Sequence, residues 1–170
     1  MKIIDNFLPE EEFKSIQSLM IGRQFPWYID TSGMVEIGDG KYQFSHMFFE
    51  VDKSIGRNSD YIELWKSFSK KIGVKKGFFR IKANLTLKTP THEESLFHTD
   101  MRFDDPDKLM HPKTAIFYIN TNNGYTEFKN GVIVNSVANR VCIFDTTLEH
   151  RGVTHTKDHP TRVVMNFNYE

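Results

Sequence analysis

Two stretches in the first half of the chain have the hydrophobic periodicity of amphipathic helices. Residues 9–21 open with Pro9 and three glutamates, which favour a helix N-terminus, and apolar residues then recur at helical spacing. Residues 59–72 follow two residues of capping type, carry aromatic and aliphatic side chains on one face and meet Gly73, a typical helix terminator. We therefore predict one helix over each stretch.

From about residue 77 the apolar residues alternate with polar ones, which is the period of β-strands. In segment 80–88 every second residue from Ile81 to Leu87 is apolar. Further strand-like runs lie at 2–4, 114–120, 132–134, 140–145 and 162–169. Turn-forming residues separate them, as in Asn130-Gly131. Helices followed by many short strands predict an α+β fold with a β-sandwich or barrel core, built as a single domain over residues 1–170.

The composition fits an intracellular globular protein. Hydrophobic residues make up 39% of the 170 residues, which is enough to build a core without disulfides. The single cysteine, Cys142, excludes an internal disulfide and fits a reducing compartment. No apolar run approaches the ~20 residues needed to cross a bilayer, and the first residues lack the features of a signal peptide. We expect a cytoplasmic protein without a membrane partner.

The charge balance makes nucleic acid a less favoured partner. Lys plus Arg and Asp plus Glu each number 22, so the formal net charge is zero. Proteins that bind nucleic acid mainly through phosphates usually carry a basic excess. Small molecules and peptides are the expected partners, and the sequence does not indicate an oligomeric state.

The most informative residues are His98 and Asp100, in His98-Thr99-Asp100. In an extended segment, side chains two residues apart point the same way and can converge on one ion. Two histidines and one carboxylate on one face of an octahedron form the triad of non-haem Fe(II) oxygenases. A His-x-Asp sequence also occurs by chance, as a surface histidine beside an acid. The triad hypothesis therefore needs a third ligand.

His150 is the predicted third ligand. It follows the apolar strand 140–145 and precedes Gly152, which permits a tight turn. An ordinary turn histidine is the alternative interpretation. His155 and His159 lie nearby, but neither directly follows an apolar strand, so we prefer His150.

Arg162 heads the polar face of strand 162–169, whose other face is apolar. An unpaired buried charge is very costly, so this guanidinium needs a carboxylate partner, and its two-pronged geometry matches one. That carboxylate could belong to a ligand. The alternative is a salt bridge to an acidic residue at the sheet edge.

The sequence resembles the prolyl-4-hydroxylase-like branch of the 2-oxoglutarate/Fe(II) oxygenases, particularly short stand-alone members such as those of bacteriophages. The resemblance covers nearly the whole chain and rests on these motifs in order: Ile3-Ile4-Asp5-Asn6-Phe7-Leu8, His98-Thr99-Asp100, Tyr118-Ile119-Asn120, Gly124-Tyr125-Thr126-Glu127-Phe128, Phe144-Asp145, His150-Arg151-Gly152 and Arg162. It implies a double-stranded β-helix, a distorted jelly roll, flanked by N-terminal helices. It also implies that His98, Asp100 and His150 bind catalytic iron and that Arg162 pairs with the C5 carboxylate of 2-oxoglutarate.

Two further co-substrate residues follow from the same resemblance. Some relatives bind 2-oxoglutarate with an asparagine and an aromatic residue on the strand before the His-x-Asp pair. Asn84 fits the first role, but Thr86 occupies the second position, so Tyr118 is predicted to supply the hydroxyl instead. Both residues could equally be sheet residues with local hydrogen bonds. Many prolyl hydroxylases carry lysine where Arg162 stands, and Gly124-Tyr125-Thr126 replaces a double-glycine turn, which weakens the case for a prolyl substrate.

The implied activity is that of a dioxygenase that couples oxidative decarboxylation of 2-oxoglutarate to hydroxylation, with a peptidyl or free amino acid as substrate. Its cofactors would be Fe(II), 2-oxoglutarate and O2, with ascorbate as a supporting reductant, and a phage-encoded member would act in the host cytoplasm. We predict that 101–113 forms a lid and 27–46 a second flap. Three alternatives stay open: a non-catalytic jelly-roll module that binds or has a structural role, a cupin-like Zn or Mn site, and a nucleobase-directed oxygenase.

Overall fold

The computed structural model describes residues 1–31, 41–51, 57–101 and 111–170. Over these ranges the chain forms two α-helices, one 3₁₀ helix and eleven strands, so the predicted α+β class is confirmed. The strands are β1 (Lys2–Ile4), β2 (Tyr28–Asp30), β3 (Gln43–Glu50), β4 (Arg57–Asn58), β5 (Phe78–Leu87), β6 (Lys113–Tyr118), β7 (Tyr125–Phe128), β8 (Ile133–Asn135), β9 (Arg140–Asp145), β10 (His150–Val153) and β11 (Thr161–Tyr169). The helices are α1 (Glu10–Ile21) and α2 (Lys66–Ile72), and the 3₁₀ helix is Ile62–Trp65.

Both predicted helices are present, the second in two parts. In α1 the acidic residues occupy the first turn, where they complement the helix dipole, and Phe13, Ile16 and Met20 are buried. The predicted helix over 59–72 is 3₁₀ in its first part and α-helical only from Lys66. It ends as predicted at Gly73, whose φ of 76° is the left-handed conformation that terminates many helices.

Two antiparallel sheets face each other. The larger has the order β1-β9-β6-β11-β5-β3-β2, with β4 paired to β3, and the smaller has the order β10-β7-β8. Isolated bridges from Glu94 to Val153 and from His98 to His150 bring the segment 94–98 alongside β10. The smaller sheet is thereby extended by the segment that leads into His98.

Part of the predicted flap over 27–46 belongs instead to the larger sheet. Within it β2 pairs with β3, and β3 pairs with β5, so the flap prediction is wrong for these residues. His46 obscures the strand pattern because it is a buried imidazole, with its two ring nitrogens hydrogen-bonded to Pro26 O at 2.8 Å and Ser59 Oγ at 2.7 Å. The glycines at 33, 38 and 40 and most of the predicted lid lie outside the described residues.

The core has two layers on opposite faces of the larger sheet. Along β11, Val163, Met165 and Phe167 face the helices, while Val164 faces the smaller sheet, which is the alternation that the sequence predicts. The helix side is rich in aromatic rings, such as Phe68 stacked on Phe167 with centroids 4.2 Å apart. No helix in the described part of the chain combines the length and apolar character needed to span a membrane.

Candidate metal centre

A cavity of about 670 Å³ opens between the two sheets. Its lining includes polar side chains from β5 and β11, residues of β7 and β10, and the end of segment 94–98. The three predicted metal ligands, His98, Asp100 and His150, line this cavity together with Arg162. Asn84 also lines it, whereas Tyr118 is fully buried behind it.

The structure brings His98, Asp100 and His150 together. Their candidate ligand atoms all lie within 4.8 Å of one another, and each histidine Nε2 is 4.0 Å from an Asp100 carboxylate oxygen. The main chain explains this convergence, because His98 and His150 exchange two N–H···O bonds of 3.0 Å each. These two residues are thus neighbours across a strand pair, although about fifty positions separate them in the sequence.

Backbone carbonyl groups fix the tautomer of both histidines. His98 Nδ1 lies 3.1 Å from Leu96 O, and His150 Nδ1 lies 3.0 Å from Leu148 O. A carbonyl oxygen only accepts, so Nδ1 donates in each ring and Nε2 carries the free lone pair. Both Nε2 atoms face Asp100. This arrangement is typical of metal-binding histidines, whose second nitrogen is oriented by a hydrogen bond.

Asp100 is held as a carboxylate by two donors from the larger sheet. Arg80 Nη2 donates to Oδ1 at 3.3 Å, and Asn168 Nδ2 donates to Oδ2 at 3.1 Å. Burial raises the pKa of Asp100, but the positive charges of His150, which is protonated at the low pH where Asp100 titrates, and of Arg80 outweigh it and hold the pKa below its ordinary value. Burial also lowers the pKa of His150, which favours its neutral form. A charged carboxylate and neutral imidazoles are the protonation states that bind a divalent cation.

The rival histidines have other partners. His155 Nε2 donates to His159 O at 2.7 Å, and His159 Nδ1 bonds within its own turn to Thr161. Neither belongs to the one candidate metal cluster found among the described residues. Of these three histidines, His150 is the one that lies beside His98 and Asp100 in the described structure, and its role as a ligand stays a prediction.

Arg162 is a buried cation with neutral partners. Its side chain donates from Nε to Ser136 Oγ at 2.8 Å and from Nη2 to Thr126 Oγ1 at 3.4 Å, and only 6% of the residue is exposed. Burial lowers its pKa, and the groups described around it include no carboxylate that would offset this. The salt bridge considered as an alternative is therefore not found in the described part of the chain. A buried guanidinium at a cavity wall can pair with the carboxylate of a ligand, which is the role that the sequence predicted for Arg162.

Strand register sets the distance between Arg162 and the metal cluster. On the smaller sheet Thr126, the partner of Arg162, lies opposite Gly152, and Phe128 lies opposite His150. The guanidinium end and the cluster are thus two residues apart along β10, or about 7 Å. A five-carbon dicarboxylate can span that distance.

Several buried polar atoms of the cavity have no protein partner. Asn84 Oδ1, Thr86 Oγ1 and Asn166 Oδ1 are buried without a hydrogen bond, and all three residues line the cavity. Buried polar atoms are normally paired, so these atoms are available to a ligand. The unpaired Asn84 Oδ1 is an acceptor that can take an N–H or O–H donor of a bound molecule, and contact of Asn84 with the co-substrate stays a prediction.

Tyr118 has a different placement. Its hydroxyl donates to Thr126 Oγ1 at 2.9 Å, and Thr126 rather than Tyr118 lines the cavity. Burial raises the pKa of this phenol far above its ordinary value, so it stays protonated and a donor. Direct contact of Tyr118 with a co-substrate stays a prediction, and the observed hydrogen bond favours an indirect role through Thr126.

Four supporting residues were not identified from the sequence: Arg80, Thr126, Ser136 and Asn168. Alternation along β5 and β11 places Arg80 and Asn168 on the polar faces of their strands. Thr126 lies within a motif that carried the family resemblance. In each case the missing information was the partner across the cavity, because strand register cannot be read from one sequence.

The fold is similar to that of known oxygenases. No protein-family model matches the sequence, and no curated protein is significantly similar to it. Among solved structures, an oxidoreductase of the 2OG-Fe(II) oxygenase family from Burkholderia pseudomallei matches with a TM-score of 0.66 and 13% identity, over 98% of this chain and 84% of that one. A prolyl-4-hydroxylase from Pseudomonas putida matches with a TM-score of 0.59 and 15% identity, over 99% and 91%.

A third similar structure is a prolyl hydroxylase from Trichoplax adhaerens in complex with a peptide fragment of hypoxia inducible factor. It has a TM-score of 0.62 and 12% identity, over 99% of this chain and 82% of that one. The matches extend over almost the whole of this chain, helices and both sheets included. The chain therefore has the jelly-roll fold of the 2-oxoglutarate/Fe(II) oxygenases.

Proposed function

We propose that this protein is an Fe(II)- and 2-oxoglutarate-dependent dioxygenase. The observation that carries the proposal is one cavity that holds both a His-Asp-His cluster and a buried arginine without a carboxylate partner in the described chain. The cluster has the ligand set of the facial triad. A site that binds only a metal does not need a buried arginine, whereas a site that also binds an organic acid does, because the guanidinium pairs with its carboxylate.

In this proposal His98, Asp100 and His150 hold iron through two Nε2 atoms and one carboxylate oxygen. Once bound, iron with 2-oxoglutarate and O2 would supply the oxidising chemistry that hydroxylates a substrate C–H bond, with succinate and CO2 as the co-products. Arg80 and Asn168 keep the Asp100 carboxylate charged and oriented. These supports fix the ligand geometry before any ligand arrives.

The co-substrate site would lie between the cluster and Arg162. Arg162 would pair with the C5 carboxylate, and its bonds to Ser136 and Thr126 hold the guanidinium in place. The Tyr118 hydroxyl in turn orients Thr126. Asn84 would donate from its amide nitrogen to the co-substrate, while its Oδ1, which has no protein partner, would accept from a substrate N–H or O–H. Apolar Ile116 and Val164 complete the wall and limit water there.

We propose a small-molecule or peptide substrate. The Trichoplax adhaerens structure contains a bound peptide, which supports a peptide among the candidates without identifying one. We also propose that residues 1–170 act as one domain. A cytoplasmic location is proposed as well, since the buried free thiol of Cys142 fits a reducing compartment.

The test is an anaerobic titration of the protein with Fe(II) and 2-oxoglutarate, followed by visible absorption, and then a succinate-release assay in air. The wild type should form a metal-to-ligand charge-transfer band and release succinate. Asp100→Ala should lose both, since it removes the anionic iron ligand. Asp60→Ala, an exposed position outside the cavity, is the matched control and should behave as wild type.

Arg162→Leu separates the co-substrate from the metal. It should keep iron binding but need about 10- to 100-fold more 2-oxoglutarate, which is the usual effect of losing a hydrogen bond to a charged group. A cupin-like metal site would bind iron without forming the band, and a non-catalytic module would bind no iron at the cluster. Undiminished 2-oxoglutarate decarboxylation by Asp100→Ala would refute the proposal.

A further inference from the structure

The cavity floor carries a second cationic site beside the metal cluster. Four residues of β5 point to the cavity in turn: Arg80, Lys82, Asn84 and Thr86. Arg80 is engaged by Asp100, and Thr86 lies opposite Arg162 in the strand register. Lys82 lies between these two ends. It pairs in register with Asn166 of β11, so the two side chains lie next to each other on the floor.

The ion pair that Lys82 forms in the described structure is a long one. Its side chain is 18% exposed, and its ion pair in the described structure is with Asp30, with Nζ and Oδ2 4.0 Å apart. Burial and the neighbouring charge of Arg80 lower its pKa, while Asp30, Glu50 and Asp100 act in the opposite direction. Burying a cation in a cavity is costly unless an anion lies close to it. At 4.0 Å, the partly exposed Asp30 carboxylate stabilises the Lys82 ammonium group only weakly.

None of the charged groups in the proposed function pairs with Lys82. Asp100 is matched by the metal and Arg80, and the C5 carboxylate of 2-oxoglutarate is matched by Arg162. Beside Lys82, the Oδ1 atom of Asn166 is buried without a partner. The Lys82 ammonium group can bind an anionic oxygen, and Asn166 Oδ1, which is an acceptor, can take an N–H or O–H donor next to that anion.

We infer that the substrate presents an anionic group, a carboxylate or a phosphate, to Lys82 and a neighbouring N–H or O–H to Asn166 Oδ1, while its reacting carbon lies at the metal. The inference rests on the proposed function, since it assigns the substrate class of that same cavity. Lys82 is two residues from Arg80 on one strand face, about 7 Å along β5. The anionic group would therefore lie only a few bonds from the carbon that is hydroxylated. An acidic amino acid and a nucleotide both have this chemistry.

The test compares charged and neutral members of matched probe pairs. The protein is loaded with Mn(II) and saturating 2-oxoglutarate, a complex that should not turn over, and binding is followed by calorimetry. The carboxylate pair is N-acetylglutamate amide and N-acetylglutamine amide. The phosphate pair is adenosine 5′-monophosphate and adenosine. The wild type should bind the charged member of at least one pair about tenfold or more tightly than the neutral member, and the responding pair identifies the source of the anion.

Lys82→Met keeps the length of the side chain and removes the charge, so it should abolish this preference. Lys82→Arg should retain part of it. Lys88→Met, just beyond the end of the same strand and outside the cavity, is the control and should keep the full preference. Lys82→Gln is a second variant if the methionine form does not fold, which circular dichroism would show.

Two results would overturn the inference: no preference in the wild type for either pair, or a preference that survives Lys82→Met and Lys82→Gln. The first would mean that Lys82 serves only its contact with Asp30. Binding of Mn(II) and 2-oxoglutarate is measured before the probes are added. Failure at that stage contradicts the proposed function itself, whereas failure with the probes alone contradicts only the substrate class.

Discussion

At the residue scale, Gly124 packs directly against the side chain of Arg162. A Cβ atom there would lie 2.7 Å from Arg162 Cδ, 2.9 Å from Asn122 Oδ1 and 3.0 Å from Val153 O. Real Cβ contacts are essentially never that short, so any side chain would push Arg162 or the backbone away. Glycine is required here by close packing against Arg162. The glycine of this turn therefore leaves room for the Arg162 side chain.

We expect Gly124→Ala to weaken 2-oxoglutarate binding about tenfold or more, because the added methyl displaces the guanidinium from Thr126 and Ser136. Overpacking should also lower the free energy of unfolding by roughly 1–3 kcal/mol. Calorimetric titration of the Mn(II)-loaded variant with 2-oxoglutarate measures the first effect, and Mn(II) affinity, which should be unchanged, is the internal control. Wild-type affinity for 2-oxoglutarate would show that the position of Arg162 does not matter.

At the element scale, Asn139 ties the segment before α1 to the larger sheet. Its side chain accepts from Leu8 N and donates to Leu8 O, both at 2.9 Å, and its own carbonyl accepts from Phe7 N. Its φ of 61° lies in the left-handed region, which asparagine tolerates better than most residues. The turn before β9 thereby sets where the N-terminal helix packs.

Asn139→Ala should lower the free energy of unfolding by about 2–3 kcal/mol, since two buried groups of Leu8 lose their partner. Asn139→Gly removes the same side chain without the strain of a left-handed alanine, so the difference between the two variants isolates the backbone term. Urea denaturation measures both. If Asn139→Gly were as stable as the wild type, the side chain would contribute nothing to attaching α1.

At the scale of the whole molecule, the candidate centre joins elements that are distant in the sequence. His98 lies on the segment that extends the smaller sheet, His150 on β10 and Arg162 on β11 of the larger sheet. A metal with a bound keto acid would therefore cross-link the two sheets around their cavity. Ligand binding to this site should be visible as global stabilisation.

Saturation with Mn(II) and 2-oxoglutarate, each at about 100 times its dissociation constant, should raise the melting temperature. One ligand at that concentration contributes about 2.7 kcal/mol, and each kcal/mol corresponds to about 2–4 °C for a protein of this size. The two ligands together should therefore raise the melting temperature by about 10–20 °C in differential scanning fluorimetry, with chelator treatment as the reverse experiment. Asp100→Ala should lose the shift, and an equal shift in that variant would place the metal elsewhere.

The alternation of apolar and polar residues was sufficient to predict most of the sheet and the two faces of β11. It failed for β3, where the buried His46 satisfies both ring nitrogens and so occupies a core position that the pattern assigns to an apolar residue. It also missed the short β10, because the polar residues His150 and Arg151 before Gly152 are typical of a turn. Short strands with polar residues carry too little periodicity to be recognised without their partners.

The sequence by itself determined the identity of the candidate ligands, since the spacing of His98 and Asp100, the strand before His150 and the polar face headed by Arg162 are all local features. The tertiary structure decided which of these side chains meet and what surrounds them. Only the register of β10 against segment 94–98 places His150 beside His98, and only the pairing of β5 with β11 sets Lys82 beside Asn166. Periodicity encodes the face to which a side chain points, whereas its neighbour depends on contacts between strands that are distant along the chain.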